Sequence, residues 1–358
     1  MMSSTADSEA IRALLAEVKD PETGRGLVEM GQLQSMECEG NRVRVTVGLT
    51  RFSAPVWPEV QSEIESRLRE RFVGLDASVQ IAVHERLAEK LGEIGLTAKA
   101  VVAVGSGKGG VGKSTIAASI AYGLARHGCR VGLMDADVYG PSIPHLVGAN
   151  RRPEIAAGRI EPIEVDGLKV MSMGFLVPPG EAVVWRGPML HGAITQFLRD
   201  TAWGDLDYLL IDLPPGTGDI ALTLSQLLPL TGAVVVCTPQ DVALLDATKA
   251  VAMFRKVSIP VLGMVENMSY FRCPDCGTRY DIFGSGGARR RAAELQIPFL
   301  GELPINIRIR ELGDAGRVGG SFTEPEVAPF FESICLALVK QIADARRANP
   351  PLPTLAVL

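Results

Sequence analysis

The sequence has no long hydrophobic run, no basic block and no signal-peptide pattern. No window in its 358 residues reaches the roughly 18 consecutive apolar residues that a membrane-spanning helix needs. The first ten residues lack the basic start and apolar stretch of a signal peptide. The formal net charge is −5, and the densest basic cluster, Arg289–Arg291, is typical of a solvated helix face. These absences predict a cytoplasmic protein that binds neither nucleic acid nor a membrane.

Cysteine is also scarce, and only one pair among the six cysteines is closely spaced. Cys129, Cys237 and Cys335 lie in apolar patterns, which predict buried free thiols. Cys273 and Cys276 form a Cys-x-x-Cys motif. In a protein expected in a reducing compartment, this spacing favours metal binding or redox chemistry over a structural disulfide.

The hydrophobic pattern changes once along the chain, which predicts two domains. A helical period followed by alternating strands comes first and is typical of a small α+β domain. Later, strand-like runs of Val, Ile and Leu alternate with helical stretches, which predicts an α/β fold with a doubly wound, mainly parallel sheet. The predicted boundaries are 1–88 for the small domain, 89–98 for a linker, 99–345 for the α/β domain and 346–358 for a flexible tail.

A phosphate-binding motif follows the first strand of the larger domain. Gly107–Ser114 fits the pattern G-x-x-x-x-G-K-[ST] and lies between a predicted strand, Val101–Val104, and a predicted helix, as in a P-loop ATPase. Glycines let backbone N–H groups wrap the phosphates, and the helix N-terminus adds the positive end of its dipole. We expect Lys113 to neutralise phosphate charge and Ser114 to bind Mg²⁺. The predicted nucleotide-binding residues of the loop are Gly107, Lys108, Gly109, Gly110, Val111, Gly112, Lys113, Ser114 and Thr115.

Two further strands are predicted to end in carboxylates beside this loop. Tyr208–Asp212 has the pattern of a Walker B strand, so Asp212 is expected to hold Mg²⁺ through a water molecule. The segment Leu213–Asp219 predicts a stiff, glycine-hinged loop that senses the γ-phosphate. Asp135 and Asp137 end another strand, and either could position the attacking water. Taken alone, each of these aspartates would be interpreted as a helix cap or a loop carboxylate.

The loop carries an additional lysine, Lys108, near its start. With it, the stretch Lys108–Thr115 resembles the deviant Walker A motif of the ParA/MinD/nitrogenase-iron-protein class. In that class the first lysine reaches nucleotide phosphate bound to the partner subunit. The resemblance therefore implies a homodimer in which Lys108, like Lys113 and Asp212, belongs to the catalytic machinery.

Within that class, residues 99–345 resemble the Mrp/ApbC-type iron–sulfur cluster carrier ATPases. The resemblance implies a slow ATPase that passes a [4Fe–4S] cluster to apo-proteins and receives it from scaffold or donor proteins. It also implies that Asp137 assists the attacking water, that Asn267 contacts adenine, and that Cys273 and Cys276 of two subunits bridge the cluster. The matching stretches are Gly105–Thr115, Asp135–Pro144, Asp212–Asp219, Glu266–Ser269, Cys273–Gly277, Ile282–Gly284 and Pro298–Gly301.

Residues 8–88 resemble the small domain, related to cytosolic iron–sulfur assembly factors, that is often fused in front of these ATPases. Relatives with a reactive cysteine carry Cys-Pro at a position where this chain has Ser53-Ala54-Pro55. A cysteine-based role is therefore not expected for this domain. Cys38 lies elsewhere, on a predicted strand, and is expected to be inert.

The cysteine pair leaves alternatives open. Two thiolates on one loop are too few for a tetrahedral site, so a Cys₄ site would require two chains. Such ligands suit zinc as well as an iron–sulfur cluster, and a redox disulfide is a third interpretation; the family resemblance favours the cluster. Two other functions compete: a ParA/MinD-like positioning ATPase and a zinc-stabilised ATPase without a carrier role. The Cys-x-x-Cys motif and the acidic balance argue against the first, and metal content tests the second.

The nucleotide and cysteine motifs lie close together in sequence. The six-residue step from Asn267 to Cys273 spans at most about 20 Å. This proximity leads to the hypothesis that ATP binding or hydrolysis shifts the dimer and changes how firmly the cluster is held.

Overall fold

The computed structural model describes residues 8–149, 151–176, 187–216 and 218–351. The chain divides into two compact units. One unit holds the described residues up to Leu87 together with those from Val339 onward, and the other holds Ala88–Leu338. None of the described helices has the length and apolar character needed to cross a membrane.

The smaller unit is built on a three-stranded sheet. Its elements before Leu87 are α1 (Ser8–Glu17), β1 (Leu33–Glu39), β2 (Arg42–Leu49), a 3₁₀ turn (Arg51–Val56), α2 (Trp57–Arg71) and β3 (Asp76–Val83). The central strand, β2, is antiparallel to β1 and parallel to β3. Alternation along β2 buries Val43, Val45 and Val47 and exposes Arg42 and Arg44. One face of the sheet therefore contributes to the core, which α1 and α2 complete.

The larger unit alternates strands and helices. Its first half contains β4 (Lys90–Leu91), β5 (Leu96–Gly105), α3 (Lys113–Arg126), β6 (Val131–Asp135), α4 (Ile143–Val147), β7 (Ile155–Ala156), β8 (Arg159–Ile160), β9 (Ile163–Val165), β10 (Leu168–Ser172), a 3₁₀ turn (Met173–Phe175) and α5 (Gly187–Asp200). Its second half contains β11 (Leu206–Asp212), α6 (Gly218–Leu227), β12 (Gly232–Cys237), α7 (Asp241–Lys256), β13 (Val261–Glu266), β14 (Phe271–Arg272), β15 (Arg279–Tyr280), α8 (Gly287–Glu294), β16 (Phe299–Glu302), α9 (Ile307–Asp314) and a 3₁₀ turn (Val318–Thr323).

Within the described residues, the main sheet of the larger unit has nine strands. Its order is β16-β13-β12-β5-β11-β6-β10-β9, and β4 pairs with β5 outside this path. The strands from β16 to β10 are parallel, whereas β9 and β4 are antiparallel to their neighbours. Every residue of β11 and β12 is buried, as expected for a parallel sheet with both faces covered. The predicted fold class is confirmed.

The region expected to be a linker is structured. Residues 89–98 contain β4 and the beginning of β5, and these two strands pair antiparallel. The sequence suggested a linker because the stretch is polar, and polarity does not reveal a two-residue edge strand. The described structure therefore moves the start of the larger unit to Ala88.

The last helix also extends past the expected boundary. Helix α10 runs from Ala328 to Ala348, so residues 346–348 of the expected flexible tail are helical, and 352–358 lie outside the described residues. Within the smaller unit, the Arg346 guanidinium stacks on the Phe52 ring at 4.4 Å and donates to the Glu22 carbonyl at 2.7 Å. These partners are far apart in sequence, and local patterns could not indicate them.

Candidate functional site

The predicted nucleotide residues meet at one edge of the main sheet. The P-loop follows β5, Asp135 and Asp212 end β6 and β11, and Asn267 follows β13. These strands belong to one parallel run of the sheet, so their carboxyl ends lie at the same edge. Residues that are far apart in sequence are therefore brought into a single site.

Glycine is required at specific points of the P-loop. Gly110 and Gly112 have φ of +77° and +78°, the left-handed region that glycine adopts most readily. A Cβ at Gly112 would lie 2.2 Å from Nδ2 of Asn267, and a Cβ at Gly107 would lie 2.1 Å from the Asp246 carbonyl oxygen. The loop thus combines left-handed backbone with close approach of its neighbours, and Gly112 leads directly into helix α3.

Two adjoining cavities open beside the P-loop. The first has a volume of about 530 Å³ and is lined by the loop and by Asp137. The second has a volume of about 300 Å³ and is lined by Asn267, Met268 and the segment Leu303–Asn306. Gly112 lines both cavities. Because N–H groups and cations suit phosphates and apolar walls suit a planar base, the two cavities together fit a nucleotide. We call the first the phosphate cavity and the second the base cavity.

Lys113 is a buried cation held by the Walker B carboxylate. Its Nζ lies 2.5 Å from Oδ1 of Asp212, 3.3 Å from Oγ of Ser114 and 4.0 Å from Oδ2 of Asp137. Its side chain is 7% exposed, and that of Asp212 is fully buried. Within the described part of the chain, Oδ2 of Asp212 has no hydrogen-bond partner. Asp212 therefore retains a buried acceptor, and Lys113 can exchange this carboxylate for a phosphate.

Asp135 anchors the loop that carries Asp137. Oδ1 of Asp135 accepts from the Asp137 amide at 3.0 Å, and Oδ2 accepts from the Ile143 amide at 3.2 Å and the Ser172 hydroxyl at 2.9 Å. Burial, with a further contribution from the Asp212 carboxylate, raises the pKa of Asp135 to about 8. Asp137, rather than Asp135, lines the phosphate cavity. Asp137, the aspartate that the family resemblance implied, is thus the one beside the cavity, whereas the residue pattern alone had left both aspartates open.

Asn267 joins the base cavity to the P-loop. Its Nδ2 donates to the Val111 carbonyl at 2.9 Å, and its backbone amide donates to the Cys237 carbonyl at 2.8 Å. Because Nδ2 is committed to Val111, the side-chain oxygen remains as an acceptor for a ligand. The next residue, Met268, has φ of +55°, a left-handed conformation that is uncommon for a residue with a Cβ.

Lys108 lines the phosphate cavity, and its side chain is partly exposed. Its backbone carbonyl accepts a hydrogen bond from the Ser106 hydroxyl at 2.9 Å, which fixes the start of the loop. On the other side, the Gly216 amide donates to the Ser106 carbonyl at 2.9 Å. Gly216 of the expected γ-phosphate-sensing segment Leu213–Asp219 is therefore bonded to the residue that precedes the P-loop, and Thr217 of this segment lies outside the described residues.

Cys273 and Cys276 lie in the turn of a two-stranded hairpin. Strands β14 and β15 pair antiparallel, the Cys273 amide donates to the Thr278 carbonyl, and the Gly277 amide donates to the Cys273 carbonyl, both at 2.9 Å. Cys276 is exposed, and its Sγ lies 3.1 Å from Oγ1 of Thr278. This hydroxyl lowers the pKa of the Cys276 thiol, which favours the thiolate that metals bind.

One chain supplies only part of a metal site. Among the described residues, no group of three or more His, Cys, Asp or Glu side chains could hold a metal ion. Cys129, Cys237 and Cys335 are buried, as predicted. Burial raises the pKa of Cys237 and Cys335 to about 12, so these thiols are poor candidates for ligands. Cys273, which is partly exposed, and Cys276, which is exposed, are therefore the better candidates for metal ligands.

The smaller unit uses Ser53 structurally. Ser53 is fully buried, its Oγ donates to the Thr50 carbonyl at 3.0 Å, and the Trp57 indole donates to that Oγ at 3.1 Å. Both partners belong to the same turn and helix start, so the hydroxyl stabilises the local backbone. Cys38 is an exposed residue of β1, away from this turn in the sheet.

Sequence reasoning missed three supports of the site. Glu266 is fully buried at the end of β13, the Asp246 carbonyl approaches Gly107, and Leu303–Asn306 lines the base cavity. Glu266 carried a signal, because an acidic residue ends an otherwise apolar strand within a matching stretch. The other two come from distant segments and carried no local signal.

Comparisons with known proteins bear on both units. Residues 97–339 match the family model described as NUBPL iron-transfer P-loop NTPase, of the ParA type, and residues 8–81 match that of an iron–sulfur cluster assembly protein. An iron–sulfur cluster carrier protein from Deinococcus radiodurans is 45% identical over 353 residues, which cover 98% of each chain. The resemblance inferred from the motifs is confirmed.

Solved structures share the fold. A nucleotide-binding protein from Archaeoglobus fulgidus, in complex with ADP and with cobalt found, is 44% identical with a TM-score of 0.57. That match covers 65% of this chain and 92% of the other. The cell division ATPase MinD from Pyrococcus furiosus is 22% identical with a TM-score of 0.50, and the match covers 69% of this chain and 99% of MinD. At this identity the match supports the fold alone.

Proposed function

Because the chain belongs to the ParA-type family of iron-transfer P-loop NTPases, we propose that it is an ATP-hydrolysing carrier of iron–sulfur clusters. Two copies of the chain hold a [4Fe–4S] cluster between them and pass it to apo-proteins. The observation that carries this proposal is the hairpin that presents Cys273, which is partly exposed, and Cys276, which is exposed, as two possible cluster ligands. A cluster of this type requires four, so a second chain completes the ligand set.

ATP is the substrate of the nucleotide site in this proposal. Its phosphates enter the cavity beside the P-loop, and Lys113 exchanges its bond with Asp212 for the β- and γ-phosphates. The adenine lies in the second cavity, where the side-chain oxygen of Asn267 accepts a hydrogen bond from the exocyclic amino group. Asp137 lines the phosphate cavity and orients the attacking water.

The residues around Lys113 fit a magnesium ion. Lys113 pairs with Oδ1 of Asp212, which leaves Oδ2 without a hydrogen-bond partner among the described residues, and the Ser114 hydroxyl lies 3.3 Å from Nζ of Lys113. Hard oxygen ligands of this kind suit Mg²⁺. A bound Mg²⁺ neutralises charge on the phosphates. Lys108, at the cavity wall, reaches the phosphates bound by the second copy, which makes hydrolysis depend on the homodimer.

Zinc is the competing occupant of the hairpin. Four thiolates from two chains suit a structural Zn²⁺ as well as a cluster, and the hairpin turn resembles a zinc knuckle. The names of the relatives favour iron–sulfur cargo. The proposed partners are a second copy, apo iron–sulfur proteins and a scaffold or donor, in a reducing compartment such as the cytoplasm.

The first experiment is metal analysis of protein purified without oxygen. Iron, acid-labile sulfide and zinc are measured per dimer in the parent protein and in Cys273→Ala. Cys38→Ala serves as the matched control, because Cys38 is also exposed but lies in the other unit. We expect roughly four irons per dimer and a broad absorbance near 400 nm, lost in Cys273→Ala and kept in the control. About one zinc and no iron after attempted reconstitution would leave a zinc-stabilised ATPase.

The second experiment tests the use of ATP in transfer. The rate of cluster transfer to an apo-acceptor is measured with and without ATP, in the parent protein and in Lys113→Ala. We expect ATP to change the rate only in the parent, because Lys113 lines the phosphate cavity. Equal rates for both proteins under both conditions would contradict a link between the nucleotide and the cluster.

A further inference from the structure

The proposed carrier function assigns no role to one buried carboxylate, that of Glu266. Glu266 ends β13 and is fully buried, yet it lies in neither wall of the two nucleotide cavities. A buried carboxylate is unfavourable unless several donors compensate it. The donors that Glu266 binds therefore indicate which part of the structure it serves.

The Glu266 carboxylate holds both ends of the segment that carries the cysteines. Its Oε1 accepts from the Ser269 hydroxyl at 2.6 Å and from the Gly286 amide at 3.1 Å, and its Oε2 accepts from the Ala288 amide at 2.6 Å. Ser269 precedes the hairpin, whereas Gly286 and Ala288 follow it and begin α8. One carboxylate thus closes residues 270–285 into a loop with a fixed base.

The same short stretch is tied to the P-loop. Asn267, the neighbour of Glu266, donates to the Val111 carbonyl at 2.9 Å and lies so close to Gly112 that no Cβ fits between them. Between Asn267 and Ser269, Met268 has φ of +55°. A residue with a Cβ keeps a left-handed backbone conformation where the surrounding structure holds it in place. Residues 266–269 are therefore anchored at the nucleotide loop on one side and at the cysteine loop on the other.

We infer that Glu266 is a positioning residue through which the nucleotide site controls the cysteine loop. A triphosphate that shifts Val111 and Gly112 also shifts Asn267, and the Glu266 carboxylate transmits the shift to Ser269 and α8. The inference rests on the proposed carrier function and adds the residue that couples its two sites. It requires that Glu266 change the response of the cysteines to ATP without contacting either ligand.

The test measures alkylation of Cys273 and Cys276 by iodoacetamide in the full-length, cluster-free chain, with and without Mg²⁺ and a non-hydrolysable ATP analogue. All proteins carry Cys38→Ser, because Cys38 is exposed. Glu266→Gln is compared with the matched control Glu302→Gln. Glu302 Oε2 also lies 3.1 Å from the Ser269 hydroxyl. Glu302→Gln therefore removes a carboxylate beside the same hydroxyl but leaves Glu266 as the acceptor for the amides at the start of α8.

In the parent, we expect the analogue to change the alkylation rate by roughly fivefold or more, the lower end of site-to-site coupling. In Glu266→Gln, the ratio of the alkylation rates with and without the analogue should fall to one while the analogue still binds. The reason is that residues 266–269 no longer hold the two ends of the cysteine loop together. Hydrogen exchange at Gly286 and Ala288 should accelerate by roughly tenfold or more, the effect of losing a charged acceptor. Glu302→Gln should keep the parent ratio and the parent protection.

The inference would be overturned if Glu266→Gln kept the parent's ratio of alkylation rates although its Gly286 and Ala288 amides exchanged faster. It would also be overturned if the analogue did not change the alkylation rate of the parent. If Glu266→Gln does not fold, Ser269→Ala replaces it, because it removes one donor and leaves the buried carboxylate bonded to two amides. An unchanged ratio in Ser269→Ala would then overturn the inference. Failure of the carrier proposal is seen separately, as absence of iron at Cys273 and Cys276.

Discussion

Removal of the Lys113 ammonium should destabilise the larger unit even in the absence of ATP. Lys113→Met keeps a side chain of similar length but leaves the Asp212 carboxylate buried without its cation. The two side chains are 7% and 0% exposed, so solvent screens the pair little. Loss of one partner of a buried ion pair typically costs about 3–5 kcal/mol. We expect a loss of that size in the free energy of unfolding of this unit at pH 8.

The loss should also depend on pH. Burial raises the pKa of Asp212 above its ordinary value, and removal of Lys113 takes away the main opposing effect. A carboxyl whose pKa is raised on folding favours the folded state most at pH values below its unfolded pKa of about 3.9, and this contribution is lost as the pH rises toward the folded pKa. Lys113→Met should therefore be closer to the parent in stability at pH 5 than at pH 8.

A double variant tests whether the unpaired charge of Asp212 causes the loss of stability. Asp212→Asn, added to Lys113→Met, removes the unpaired carboxylate and should restore most of the loss and remove the part of its pH dependence that arises from Asp212. Hydrogen exchange of β11 at increasing urea reports the larger unit alone, so unfolding of the smaller unit does not contribute. A loss below about 1 kcal/mol in Lys113→Met, or no recovery in the double variant, would refute the description of a buried charge pair.

Other substitutions test the P-loop and the smaller unit. Gly112→Ala should weaken ATP binding by roughly tenfold or more in calorimetry, because its Cβ would displace Asn267 from the Val111 carbonyl. Gly110→Ala, with the same left-handed φ but open space around it, should weaken binding much less. Lys108→Ala should leave ATP binding near the parent value and lower turnover by roughly a hundredfold, and unchanged turnover would contradict its role across the dimer. Ile64→Ala, fully buried in the smaller unit, should destabilise that unit by about 2–5 kcal/mol in urea-dependent exchange of β2 without altering ATP affinity.

The fold class and the P-loop could be predicted because their determinants are local. A strand, a glycine-rich loop and a helix occupy consecutive residues, and the left-handed glycines and the helix N-terminus act within that stretch. The parallel sheet followed from apolar strands alternating with helical stretches. The buried state of Cys129, Cys237 and Cys335 likewise followed from their apolar neighbours in sequence.

Other features could not be predicted because they depend on partners that are distant in sequence. The end of α10 is ordered by Phe52 and Glu22, which come from the opposite end of the chain. The expected linker was wrong for a different reason, because β4 and β5 pair within a few residues but the stretch is short and polar. The residue pattern left Asp135 and Asp137 as alternatives for positioning the attacking water, although the family resemblance implied Asp137. The distant Ser172 hydroxyl, which donates to Asp135, indicates that Asp135 anchors the loop.

Residue types at short spacings were enough to indicate the proposed chemistry, because phosphate binding by a glycine-rich loop and metal binding by a Cys-x-x-Cys motif both depend on such spacings. The contacts between these segments depend on the folded chain. Only the parallel sheet brings Asp212 to Lys113 and Asn267 to Val111, and only chain folding places Gly286 and Ala288 on Glu266. Hydrogen bonds and ion pairs act over a few ångströms of space whatever the sequence separation, so no local pattern could have specified these partners.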